Sequence, residues 1–108
     1  MKNLLATIPK GKFPDWATAE RVCQRCDGTT DWGNGEWFWL INCRNLPTQS
    51  GIGAQCFMVF DFYIRGYFDV VDTDESDTKC LVLANWHPIE PYIVQKGFQG
   101  YRYTELRP

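Results

Sequence analysis

Cys23-Gln24-Arg25-Cys26 has the C-x-x-C spacing that can place two thiolates on one zinc ion. A complete site needs two more ligands, and Cys43, Cys56, Cys80 and His87 are scattered single residues. Cys23 and Cys26 also share a helical face with Trp16 and Ala19, the pattern of small core residues. Zinc, a redox pair and plain packing are therefore all readings of the pair. Packing is adopted, with no metal and no cofactor expected. His87 is the only histidine, so chemistry that needs two imidazoles is excluded, and a position just before Pro88 suits a turn residue bonded to backbone. Gly51-Ile52-Gly53-Ala54 lacks the later glycine of a phosphate loop. Asp72-Thr73-Asp74-Glu75-Ser76-Asp77 lacks the glycine and the bidentate glutamate of a calcium loop and reads as a solvated connection. More suggestive is Lys96-Gly97-Phe98-Gln99-Gly100-Tyr101-Arg102-Tyr103. Two glycines permit close backbone approach, the rings offer stacking faces, Gln99 an amide edge, and Lys96 and Arg102 charge for phosphate. The same stretch also suits a bulge and turn that close a barrel.

These groups need a scaffold, and 108 residues with 44% hydrophobic and 22% charged side chains supply one globular core, so residues 1–108 are read as one domain. Aromatic residues reach 16%, more than so small a core obviously requires, which points to rings at a surface or pocket. The net charge of −2 supplies no global attraction to nucleic acid. Charge is nevertheless uneven: outside residues 61–78 the chain has ten basic against seven acidic residues. No stretch reaches the roughly 20 apolar residues of a membrane helix, Leu4–Ile8 is too short for a signal-peptide core, and five cysteines are an odd number. A cytoplasmic protein with reduced thiols and no membrane partner is expected.

Asp15 is a helix N-cap, and the helix runs to about Asp27-Gly28, where the glycine can take a left-handed conformation. A turn-rich loop with Trp32 follows. Trp37–Ile41 reads as a short central strand, Gln55–Phe60 and Ile64–Val71 as a hairpin turning at Asp61-Phe62-Tyr63, and Lys79–Trp86 as a further strand. Prolines 88 and 91 then interrupt the pattern, leaving a short strand at Tyr92–Gln95 and a last one at Tyr101–Thr104. The expected class is α+β, mainly β: a curled barrel of five or six short strands with one N-terminal helix.

Gly53-Ala54-Gln55-Cys56-Phe57-Met58-Val59-Phe60 followed by Ile64-Arg65-Gly66-Tyr67-Phe68-Asp69-Val70-Val71 resembles the paired strands of PUA-like domains, in particular the ASCH and EVE branches. Pro88–Tyr103 is similar to the closing segment of phage and bacterial ASCH-like proteins, with its proline-containing strand and Gly-x-x-Gly-aromatic turn. The resemblance covers about residues 36–104. It implies a PUA-like pseudo-barrel whose cleft accepts RNA, a modified base or a nucleoside-like ligand. Some ASCH proteins are amidohydrolases with a Lys–Thr–Glu set, and Lys10, Lys12, Thr18 and Glu90 are of those types at other spacings.

The leading expectation is thus a binding domain and not an enzyme. Arg44, Arg65, Lys96 and Arg102 would meet phosphate, Trp39, Tyr67, Phe98 and Tyr101 would stack or wall a pocket, and Gln99 would read a base edge. A second expectation is a phage or mobile-element protein that inhibits a host factor through Asp72, Asp74, Glu75 and Asp77. A small amidohydrolase is the third.

Overall fold

In a computed structural model, which describes residues 1–28 and 38–108, Asp15 caps α1 (Trp16–Arg25) by accepting the Thr18 amide at 2.8 Å. The helix stops earlier than expected, at Arg25, with the amide of the C-cap Cys26 donating to the Cys23 carbonyl at 3.0 Å; Gly28, at φ +73°, lies two residues past that cap and does not form it. The strands are β1 (Asn3–Thr7), β2 (Trp39–Asn42), β3 (Gln55–Phe60), β4 (Tyr63–Asp74), β5 (Cys80–Val94) and β6 (Tyr101–Thr104). They form one sheet in the order β2-β5-β4-β3-β1-β6, with β1 parallel to β3 and every other pairing antiparallel. The expected mainly β architecture with one helix is present, as a curled half-barrel.

Side chains of both edge strands, Trp39 and Ile41 from β2 and Tyr101 and Tyr103 from β6, pack against one core cluster, which makes that side the inside of the curl. Its centre is Leu4, Met58, Phe68, Leu81 and Leu83, and α1 covers it with Ala19 and Cys23. The loop after β2 bridges the open edges. Tyr101 Oη donates to the Asn45 carbonyl at 3.0 Å, and the Thr48 and Gln49 amides donate to Tyr103 Oη at 3.0 and 3.1 Å. The outer face has a thinner core of Leu5, Phe57, Val59 and Ile64, overlaid by Ile89, Phe98 and Leu106.

Three elements differ from the sequence reading. Leu4-Leu5-Ala6 is the middle of β1, buried on both faces between β3 and β6; a short continuous apolar run is what such a strand requires. The strand at Trp39 is an edge strand and not a central one, with Leu40 60% exposed while Trp39 and Ile41 face the core; Trp32 and Trp37 lie outside the described residues. Third, β5 continues through both prolines. β2 pairs with β5 from Cys80 to Leu83; among the described residues only β4 pairs with β5 beyond that, and Pro91 falls in the stretch from Ile89 to Tyr92 that has no β4 partner, so its missing N–H interrupts no pairing with β4.

β4 and β5 stay continuous by bulging. From Met58 to Val59, β3 advances one residue while β4 advances from Gly66 to Ile64, so Arg65 is the extra residue. The bulge resets the alternation: Ile64 faces the outer core, and Gly66 and Phe68 face inward. Across from Gly66 the Trp86 indole lies so close that an added Cβ would fall on the His87 carbonyl and 2.6 Å from the ring. Trp86 meets Phe68 at 5.0 Å and Trp16 at 5.8 Å, and Trp16 meets Phe60 at 5.7 Å, a row of rings along the inner face. Among the described residues the buried indole N–H groups of Trp16 and Trp86 find no acceptor, each costing about 1–3 kcal/mol that the ring packing must outweigh.

Gly66→Ala is expected to lower stability by about 3 kcal/mol through overpacking, read as a fall in thermal midpoint of about 15 °C. Gly51→Ala, where the new methyl meets nothing within 4 Å, should leave the midpoint unchanged. Equal midpoints for the two variants would refute this account of the bulge.

Candidate ligand surface at the hairpin tip

The two-residue turn between β3 and β4 has φ +47° at Asp61 and +69° at Phe62. Positive values at both central positions are the signature of a type I′ hairpin, which normally carries glycine or asparagine. Here a phenylalanine adopts the left-handed conformation with its ring 59% exposed. The turn is held from both sides: Lys10 Nζ pairs with Asp61 Oδ1 at 3.0 Å, and the Gln95 amide donates to the Phe62 carbonyl at 2.8 Å. β5 ends beside it, which leaves Tyr63, Tyr92 and Val94 exposed together.

The bulge delivers Arg65 to this tip. Its Nε donates to the Phe60 carbonyl at 3.0 Å, and its guanidinium centre lies 4.7 Å from the Tyr92 ring, 5.2 Å from Tyr63 and Trp16, and 5.9 Å from Phe60. Among the described residues no carboxylate pairs with it. Four rings thus lie within 6 Å of the cation. Its terminal nitrogens keep donor capacity beyond the one Nε bond.

The residues chosen from sequence divide among several places. Arg65 and Lys96 come to the tip; Lys96 and Gly97 border a hollow beside Phe62. Trp39 and Tyr101 face the inner core, Trp39 between Phe13 at 6.2 Å and Phe68 at 5.9 Å. Arg44 is exposed beyond β2, and Gln99 is exposed in the turn before β6. Tyr67, Phe98 and Arg102 are on the outer face. There His87, Tyr67, Phe57, Leu5 and Arg102 stand directly opposite one another across five strands. Tyr67 stacks on His87 at 4.6 Å and Arg102 on Phe98 at 4.2 Å, but Phe57 and Leu5 between them are buried. The Leu106 segment overlying them is tied down by Asn3 Nδ2, which donates to its carbonyl at 2.9 Å.

Sequence reasoning did not select Phe62, Tyr63 or Tyr92. A signal for Phe62 existed, since a two-residue turn at Asp61-Phe62 demands an exposed residue at positive φ. Tyr92 was hidden behind the two prolines.

His87 is not the backbone-bonded turn residue expected: it lies within β5, with Nε2 3.6 Å from Asp69 Oδ2. Asp72 and Asp74 are the paired last residues of β4, not a free connection, and Glu75 and Asp77 follow in the exposed turn. Asp74 Oδ1 accepts the Ser76 amide at 2.9 Å, which holds its carboxyl below the usual value. This acidic end lies at the opposite end of the β4–β5 hairpin from Arg65.

Cys23 and Cys26 are fully buried, with Cys26 Sγ donating to the Val22 carbonyl at 3.3 Å. Burial, helped by the neighbouring Cys26, pushes the Cys23 thiol far up, and burial does the same to Cys56. Among the described residues no group of three metal-type side chains converges, and no helix is long and apolar enough to cross a membrane. No protein-family model matches the sequence, and neither a curated protein nor a solved structure is significantly similar to it.

Two outcomes follow from these environments. Iodoacetamide should alkylate half-buried Cys43 first in the native protein, and the other four thiols only after unfolding; native labelling of Cys23 or Cys26 would contradict the packing described. The Gln49 and Thr48 amides favour the phenolate of Tyr103, so it should ionise below the usual value of about 10. A group whose value is depressed in the fold adds stability above its unfolded value and loses it as pH falls through its folded one. Phenolate absorbance during titration reads this directly, and Tyr103→Phe should remove the lowest-pH component.

Proposed function

We propose that the domain binds single-stranded nucleic acid, RNA in the first instance, at the tip of the β3–β4 hairpin. The observation that carries this reading is Arg65: a cation without a carboxylate partner among the described residues, held between rings of which Tyr63 and Tyr92 are exposed. Bases stack on Tyr92 and Tyr63, and the adjoining phosphate accepts from the guanidinium, with Lys96 nearby as a second positive charge. Stacking is indifferent to sequence, so little base preference is expected. Duplex is disfavoured because its bases present no faces to the tip.

Only two or three cations serve this surface, so the logarithm of the association constant should fall against the logarithm of salt with a slope of about −1.4 to −2.1. The test is anisotropy of a short labelled oligouridylate at low ionic strength. Tyr92→Ala should weaken binding about 5- to 100-fold, the range for losing one stacked base, and Arg65→Gln should flatten the salt slope by about 0.7. Circular dichroism confirms that both variants fold. No binding by the native protein, or binding that both variants leave unchanged, would refute the proposal, as would capture of a protein at this tip in place of RNA.

A further inference from the structure

Beside the stacking surface, Phe62 walls a hollow of about 270 Å³. Ile8 and Val59 also line it, and Lys10, Asp61 and Lys96 contribute charge. The opposite wall is firmly placed. Gly97 passes so close to β1 that an added Cβ would lie 3.2 Å from Thr7 Cγ2, and the Phe98 amide donates to Thr7 Oγ1 at 3.1 Å. The charges do not cancel: Asp61 is engaged by Lys10, and among the described residues no carboxylate pairs with Lys96. An apolar recess with one net positive charge suits a planar ring that carries an anionic group, and its volume, below the usual ligand-pocket range of about 300–1,000 Å³, suits one small ligand only.

The backbone at Phe62 supplies the second observation. Glycine would relieve the left-handed conformation, yet the position holds a large exposed ring. Left-handed backbone under an exposed aromatic is strain of the kind that collects at ligand-contacting positions.

We infer that the hollow takes a single nucleoside monophosphate unit, its base against Phe62 and its phosphate at Lys96. Resting on the strand-binding reading above, this makes the domain a reader of phosphorylated strand ends: the terminal nucleotide enters the hollow, and the next base meets Tyr63. A free mononucleotide offers the same chemistry without the stack.

The experiment compares oligouridylates bearing a 5′-phosphate, a 3′-phosphate or neither, with uridine monophosphate and uridine as the minimal pair. One phosphorylated end should bind about tenfold more tightly than the hydroxyl strand, and Lys96→Gln should abolish the difference. Phe62→Gly separates fold from function: it should keep or raise the thermal midpoint while weakening the phosphorylated ligands at least tenfold. Equal affinity for all three strands, with Tyr92→Ala still harmful, overturns the end-binding inference and leaves the strand reading intact. Failure of all strands and of the mononucleotide overturns both. Preference for free uridine monophosphate over every strand, lost in Lys96→Gln, supports the hollow and overturns strand binding.

Discussion

One extra residue in β4 governs the inner face, the outer face and the tip together. Without the bulge at Arg65, alternation along the strand would carry either Ile64 or Phe68 to the wrong side, because residues an even number apart share a face in a regular strand. Ile64 belongs to the outer core and Phe68 to the inner one. The bulge satisfies both and leaves Arg65 leaning toward the rim, where Tyr63 and Tyr92 meet it. Gly66 follows because the Trp86 ring occupies the space where a side chain would be. Removing the extra residue would therefore disturb both cores before it disturbed any ligand.

The aromatic excess resolves into parts with different work. Phe13, Trp39, Phe68, Trp86, Trp16 and Phe60 form a chain of ring contacts beneath and beside α1, and these rings are structural. Tyr101 and Tyr103 use their hydroxyls to fasten the loop that bridges the sheet edges. The tip keeps Phe62, Tyr63 and Tyr92, rings that protrude where the sheet offers nothing to cover them. A half-barrel needs the first two groups to hold its curl. It does not need the third, and that distinction separates packing from function more sharply than total aromatic content.

Local signals were legible in the sequence and long-range ones were not. Asp15 as N-cap, the turn at Asp61-Phe62 and the strand at Tyr101–Thr104 depend on neighbours a few residues apart. β1 is hard to read locally because the strand character of Leu4–Ile8 comes from β3 and β6, far along the chain. β5 is obscured because the prolines read as interruptions, although Pro91 sits where the strand makes no pairing with β4 and is harmless there. Of the candidate ligand residues, the local sequence singles out Arg65 and Lys96 but not the rings that flank each of them. Tyr92 joins Arg65 because β5 advances five positions, from Pro88 to Ile93, where β4 advances two, from Gly66 to Ile64, and no local pattern announces that excursion.

Charge is sorted along the same hairpin. Arg65 stands at one end of β4, and Asp72 and Asp74 at the other, with Glu75 and Asp77 in the turn beyond. Arg65 is seven residues from Asp72 and nine from Asp74, roughly 23–30 Å at the usual rise and about three screening lengths at physiological salt. The carboxylates therefore cannot weaken a phosphate contact at the tip to any useful degree. They repel polyanion that approaches the far end, so a chain of net charge −2 can still present one surface to a strand. The tip is not free of acid, since Asp61 stands in its turn paired with Lys10 and exposed Glu90 lies two residues from Tyr92, so the hairpin sorts charge by excess and not by exclusion.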